Sequence, residues 1–322
     1  MKLLSRSIAS VILAASAMLG FAADARAQDF PTRPIRFILP YGPGISTDVL
    51  ARIVAAKVAE RTGWTTIVEN KPGGRFVVGA QEVLKAPADG HTIFVIGNSI
   101  AVLAKVLSFD IVKDFAPVTR LSNLNLCIVT SPKAPYKTVA ELIAYAKANP
   151  GTLNFAGSER GSNNHLAGEL IKQITGIDMQ HIPYKDSSYI GDLVAGRTQL
   201  GIMTVTSVSS VVTAGTLRGI AVLGAERDPL FPTVPTFAES GFPVLNLDAG
   251  NGFMVKAGTP VGIINRLNKE LTSAIDQPDV KERFAKMGAI PQGGSPQAYA
   301  SKITSDIELW QKVMTDAKIS IE

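Results

Sequence analysis

Two stretches of this chain combine glycine, hydroxyl-bearing and amide residues at a spacing that can hold an anion. In Tyr41-Gly42-Pro43-Gly44-Ile45-Ser46-Thr47-Asp48, a Gly-Pro-Gly turn separates the apolar run Phe37 to Leu39 from an amphipathic segment opened by Ser46, Thr47 and Asp48. A strand, a tight turn and a helix start leave unpaired backbone N–H groups and a positive helix end around a small space. Ser158-Glu159-Arg160-Gly161-Ser162-Asn163-Asn164-His165 repeats the arrangement, with Ser162 or Asn163 able to cap the helix. One such turn is an ordinary N-cap. Two of them, one in each half of the chain, predict helix N-termini that converge on a ligand held between domains.

Other chemistries have weaker patterns. Gly42-Pro43-Gly44-Ile45-Ser46-Thr47 approaches G-x-G-x-x-G, with Glu69 placed where a ribose-binding acid would sit, but Thr47 replaces the third glycine. Gly97-Asn98-Ser99-Ile100-Ala101 is a degenerate nucleophile elbow whose last glycine is Ala101. With His165 or His181 downstream, it leaves an exported serine hydrolase using Ser99 as the alternative. His91, His165 and His181 are dispersed, without metal-ligand spacing, so no metal and no cofactor is expected. His91 reads as a strand-edge residue and His181 as packing near a strand end, whereas for His165 a packed histidine and a pocket group fit equally well. The single cysteine, Cys127, lies in an apolar run and reads as a buried small hydrophobe.

The elements that must position these residues alternate. The spacing predicts strands at 66–69 and 92–96 with a helix at 77–85 between them, a pattern that implies a parallel sheet covered on both faces. Leu124 to Thr130 is a further strand, and Ser131 to Pro135 reads as a linker. Beyond it Thr138 and Glu141 form a capping box, and strands at 154–156, 179–182 and 200–205 alternate with helices at 162–175 and 187–195. Leu217 to Leu223 continues that sheet, and Phe253 to Val255 returns to the first. Pro260, Pro278 and Pro296 each start a helix at its first position.

Residues 1–27 read as a secretory leader, with Lys2 and Arg6 before an apolar stretch and Ala25-Arg26-Ala27 as the cleavage pattern. Removing them leaves 29 basic against 26 acidic side chains, so the formal charge falls from +5 to +3. The basic residues are scattered, which gives nucleic-acid binding no support, and no later segment is apolar for long enough to span a bilayer.

The blocks "PTRPIRFILPYGPGISTDVLAR", "VENKPGG", "APADGHT", "KDFAPVT", "TVAELIAYAKANPGTLNFAGS", "HLAGELIKQITGIDMQHIPYK" and "FPTVPTFAESGFP" resemble the Bug (TctC-like) solute-binding proteins of tripartite tricarboxylate transporters. The resemblance covers nearly the whole mature chain. It implies an α/β, two-domain periplasmic binding protein, type II-like, with a ligand cleft between the domains: 28–130 plus 253–322 as domain 1 and 131–252 as domain 2. It also implies a non-enzymatic, monomeric receptor without cofactors. Such a receptor captures a small organic acid, a mono-, di- or tricarboxylate, and delivers it to membrane permease subunits; a ligand sensor for a signalling partner remains the other use.

Carried over by position, the resemblance gives ligand-binding roles to Tyr41, Gly42, Gly44, Ser46, Thr47 and Asp48 in the opening loop, although Asp48 has a simpler use in favouring the helix N-terminus. Asn98 and Ser99 follow in the third-strand loop. In the second domain the same transfer gives Ser158, Gly161, Ser162, Asn163, His165, Tyr184, Lys185 and Thr204. The chain departs from the family pattern at Ile45, at Arg75 to Val78 where glycines are usual, at Asp186, and at Met203-Thr204, where an acid and an asparagine are often found. Arg75 or Arg160 is expected to supply a charge for a second carboxylate or a different anion.

Overall fold

The computed structural model describes residues 30–158, 160–184, 187–243, 245, 247 and 249–320. They form two α/β sheets. The first runs through β1 (Ile35–Leu39), α1 (Ser46–Thr62), β2 (Thr66–Asn70), α2 (Val77–Lys85), β3 (Thr92–Gly97), α3 (Ser99–Leu103) and β4 (Phe115–Asn123). The second contains β5 (Leu126–Thr130), α4 (Val139–Ala148), β6 (Asn154–Gly157), α5 (Asn163–Thr175), β7 (Gln180–Pro183), α6 (Tyr189–Ala195), β8 (Leu200–Thr204), α7 (Val205–Thr213) and β9 (Arg218–Val222). The chain then returns through β10 (Asn251–Lys256), α8 (Val261–Ile275), α9 (Pro278–Lys286), β11 (Ile290–Gly293) and α10 (Pro296–Asp316). Strand order is β11-β4-β10-β3-β1-β2 in one sheet and β7-β6-β8-β5-β9 in the other.

The continuous apolar runs have a direct cause, since each sheet is covered on both faces. Phe37 and Leu39 of β1 face α1, α8 and α9, where Leu50, Val54, Leu267 and Phe284 complete a cluster. Ile38, between them, faces the opposite way with Phe94 and Met254, toward α2 and α10. In the second sheet Ile128, Phe155 and Ile202 meet α4, α5 and α10, whereas Cys127, Val129 and Met203 meet α6 and α7.

Both sheets are mixed rather than purely parallel. β1 pairs in parallel with β2 and β3, and β6 with β7 and β8, but β10 runs antiparallel to β3 and β5 antiparallel to β8. A strand that arrives from the other half enters its sheet at the edge where the parallel strands end, and can only run the opposite way. β5 thus belongs to the second sheet, between β8 and β9, and not with the first unit where the sequence reading places Leu124 to Thr130. The crossing lies at Asn123 to Asn125 instead of at Ser131 to Pro135.

β4, α7 and β11 escape the sequence pattern, the first two for a visible reason. β4 contains Pro117, a residue that rarely sits inside a sheet; a register irregularity in the β10–β4 ladder between Phe253 and Met254 accommodates it opposite Met254. α7, VTSVSSVVT, is rich in β-branched residues of low helix propensity, and burial of Val205 and Val208 overrides that preference. Pro260 sits one residue before α8, whereas Pro278 and Pro296 open α9 and α10 as expected. The capping box of α4 is present, with Glu141 N–H on Thr138 Oγ1 at 3.2 Å and Lys137 N–H on the Glu141 carboxylate at 2.6 Å.

Among the described residues, two chain crossings and one helix join the sheets. Ala249 N–H donates to Leu124 O at 2.9 Å, so the return strand runs beside the outgoing one. Asn125, buried in the outgoing crossing, donates to Asp228 at 3.0 Å and accepts from Asn123 at 3.1 Å. α10 places Tyr299 and Ile303 in the first core and Trp310, Val313 and Met314 in the second. Gly252 of β10 lies under the Tyr299 ring, where an added Cβ would come within 2.3 Å. Gly252→Ala is therefore expected to destabilise the chain by about 1–3 kcal/mol through overpacking, read as a lowered denaturation midpoint.

Candidate functional site

The opening turn holds its own shape. Gly44 has φ 84°, a conformation that costs glycine nothing, and its N–H donates to Asp48 Oδ2 at 2.9 Å. The other Asp48 oxygen accepts from Arg52 Nε at 3.0 Å and from Asn70 Nδ2 at 2.9 Å. Burial alone would raise this carboxyl, but the donors from Gly44, Arg52 and Asn70 hold it below the usual carboxylate range. Asp48 is thus spent on the loop itself. Thr47 is likewise engaged, donating to Asn251 Oδ1 at 2.7 Å, and Asn251 donates on to Ser122 at 3.3 Å. The Tyr41 hydroxyl accepts from Gly97 N–H at 2.8 Å and bonds Ser99, and burial pushes its phenol up to about 12. Tyr41 therefore joins the first turn to the end of β3. Gly42 is half-buried, whereas Gly44, Ile45 and Ser46 are exposed.

In the second half, Ser162 caps α5 by accepting from His165 N–H at 3.3 Å. The His165 ring accepts the Gly161 N–H at Nδ1, 3.0 Å away, and stacks on His181 with centroids 4.1 Å apart. Its Nε2 lies 3.9 Å from Glu169. Burial first, then Arg160 and Lys172, lower the His165 pKa to about 4; burial and then His165 do the same for His181. Both rings are neutral at neutral pH and serve as packing that fixes the Gly161 backbone. Asn164 donates to Ile202 O at 2.8 Å, tying the α5 start to β8. Asn163 differs from its neighbours: it is 5 % exposed, and its Oδ1 has no hydrogen-bond partner.

Between the halves lies a cavity of about 380 Å³, within the range of small-molecule pockets. Arg75, Phe76, Ser99 and Leu103 line it from the first half, Arg160 to Asn164 from the second, and Ala249 from the return crossing. A second hollow of about 240 Å³ adjoins it through the shared Asn164, lined by Ser158, Tyr184, Met203 and Thr204 among others. The Tyr184 hydroxyl is turned away to Asp192, 2.6 Å, and Thr198, 2.9 Å. Thr204 stands at the N-cap position of α7 without a side-chain capping bond, and its hydroxyl accepts from Thr206 at 3.0 Å.

Of the residues singled out from sequence, Ser99, Gly161, Ser162 and Asn163 line the main cavity, and Ser158, Tyr184 and Thr204 line its neighbour. Tyr41, Gly42, Gly44, Ser46, Thr47, Asp48, Asn98 and His165 line neither hollow and stand behind or beside them. Asn98 is buried, with its N–H on Gly250 O at 2.8 Å. Lys185 lies outside the described residues. Phe76, Leu103, Asn164 and Ala249 were not among the residues picked. The loss of glycine after Gly74 is a signal for Phe76, whereas Leu103 and Ala249 carry none because only the folded chain brings them there.

The competing chemistries lose their geometry. Ser99 opens α3, and the only non-glycine residues with positive φ among the described ones are Arg75, Phe76 and Lys318, so the strained turn of a nucleophile elbow is not made at Ser99. His165 and His181 are stacked on each other. Glu69, the ribose-binding candidate, pairs with Arg36 at 2.6 Å and 3.1 Å. Cys127 is buried in β5, and burial, then Asp228, push its thiol up.

Comparison with known proteins gives a consistent picture. Residues 50–319 match the model of the tripartite tricarboxylate transporter family receptor. The chain is 35 % identical to BugT of Bordetella pertussis over 94 % of its own length and 95 % of that protein. It is 33 % identical to the UPF0065 protein of the tcbD–tcbE intergenic region of a Pseudomonas species, over 96 % and 94 %. Among solved structures it is similar to an R. palustris protein with adipate, with TM-score 0.73, 32 % identity and coverage of 91 % of this chain and 99 % of that one. It is also similar to MatC from Rhodopseudomonas palustris with bound malate, with TM-score 0.69, 27 % identity and coverage of 88 % and 99 %.

The histidine pair makes stability depend on pH. Between the ordinary value of 6.5 and about 4 the unfolded chain binds protons that the folded one does not, so stability falls as pH falls through that window. Thermal melts from pH 7 to pH 4.5 are expected to show this decline, and His181→Phe, which keeps a ring in the stack and removes one titrating group, to flatten it.

Proposed function

The chain belongs to the tripartite tricarboxylate transporter receptor family, and on that premise we propose that it is an exported, periplasmic receptor for a small organic acid. It acts by binding and not by catalysis, as a monomer, and presents its ligand to membrane permease subunits. The observation that carries this reading is the cavity between the sheets, where the N-terminus of α5, with Ser162 and Asn163, faces Ser99, Arg75 and Phe76 across one space. A helix N-terminus with free N–H groups favours a carboxylate. The malate and adipate carried by MatC and the other R. palustris protein support an organic acid as the ligand class.

The two halves work as hinged domains divided at the crossings near 123–125 and 249–251. A ligand touching both halves favours the closed arrangement only by the amount that it binds closed better than open. The permease reads that difference. The loop residues that do not line the cavity, from Tyr41 to Asp48, hold the first lip in shape, and the N–H groups at the start of α1 come to the ligand on closure.

A thermal-shift screen of mono-, di- and tricarboxylates tests this. A true ligand at ~100 times its dissociation constant is expected to add about 2.7 kcal/mol of stability, and absence of response to every organic acid would falsify the reading. Ser99→Ala is expected to change affinity modestly. If the preparation turned over ester substrates and this substitution abolished the turnover, the serine hydrolase would take its place.

A further inference from the structure

Gly73, Gly74, Arg75 and Phe76 have φ angles of 123°, 57°, 50° and 76°. Glycine adopts such values freely; arginine and phenylalanine do so against the clash of Cβ with the backbone. The neighbours impose this course. Val77 N–H closes on Gly74 O at 3.1 Å, Ala80 N–H on Phe76 O at 3.0 Å, and Lys71 N–H on Leu39 O at 2.7 Å. Gly79 is pressed against Pro40, where an added Cβ would come within 2.9 Å, so the start of α2 lies directly against the end of β1. Two glycines at 75 and 76 would follow the same path without strain.

What the strained residues add is side chain, and both line the interdomain cavity. The Phe76 ring packs edge-on to Tyr41 with centroids 5.3 Å apart and, with Leu103 and Ala249, gives the cavity an apolar wall. Arg75 adds a cationic residue to the first half's side of a space whose other side carries Arg160 and the start of α5. No acidic side chain is among the described residues that line it. Strain retained at a ligand-facing loop is the pattern expected where the side chains have a use there.

We propose that Arg75 sets the charge selectivity of this receptor. An acid whose first carboxylate lies on the α5 N-terminus, and whose body lies on the Phe76 wall, places a second anionic group against the Arg75 guanidinium. The proposal rests on the receptor reading above and narrows the ligand to an acid with two separated negative groups.

Calorimetric titration of the mature protein with matched pairs, succinate and butyrate, adipate and hexanoate, terephthalate and benzoate, tests it. At least one di-acid is expected to bind about tenfold or more tighter than its mono-acid partner, the size of one charge-assisted hydrogen bond. Arg75→Gly, which removes the charge and relieves the backbone, and Arg75→Gln, which removes the charge and keeps the strained side chain, are both expected to narrow that ratio to within about threefold. Equal binding of di- and mono-acids by the natural protein, or a ratio that survives both substitutions, overturns the role of Arg75 and leaves the carboxylate receptor standing. If none of the six acids binds, the di-acid proposal falls; the receptor reading falls with it only when the wider acid screen is also silent.

Discussion

Parallel pairing of β1 with β2 and β3, and of β6 with β7 and β8, makes every strand-to-helix turn of those units leave its sheet at the same edge. The rest of the molecule follows from that constraint. Turns after β1 and β3 lie together, as do those after β6 and β8, and helix starts gather beside them with N–H groups that the helices cannot use. The chain also crosses between sheets at those edges, so β5 and β10 enter antiparallel. Crossings and cavity thereby become neighbours, and Ala249, part of the return crossing, lines the cavity itself.

The loops around that cavity spend most of their side-chain polarity on themselves. Asp48 fixes Gly44, Tyr41 fixes Gly97, His165 fixes Gly161, and Asn164 fixes β8. Each bond satisfies a buried or half-buried group, and leaving one unmade would cost more than making it gains. The result is a set of backbone segments held in place before a ligand arrives, which lowers the ordering cost of binding. Asn163 differs, with a buried acceptor that has no partner among the described residues.

α10 ties the two halves together. It is about 30 Å long at 1.5 Å per residue, with Tyr299 seated in one core and Trp310 in the other. Any change in the angle between the sheets has to be absorbed at the two crossings and by side chains along this helix. Around Gly252 the Tyr299 ring lies against the return strand, where an added Cβ would come within 2.3 Å.

Much of this was legible from residue order alone. Alternating apolar runs and capped helices gave the α/β class; Ser162 and Thr138 cap the helices that their types predict; and the quoted blocks pointed to the family. These are local properties, set by residue type, spacing and backbone preference. The partner of β5, the passage of Pro117 through β4, and the inclusion of Leu103 and Ala249 in the cavity are not local, because pairing and convergence depend on where distant segments meet. The same holds for the opening loop, whose hydroxyls and carboxylate have internal partners, Asn251, Gly97 and Asn70, that residue order does not show. Sequence determined that two anion-suited turns exist. Only the tertiary structure decided which of their groups remain for a ligand, since a donor is free or spent according to what the fold packs against it.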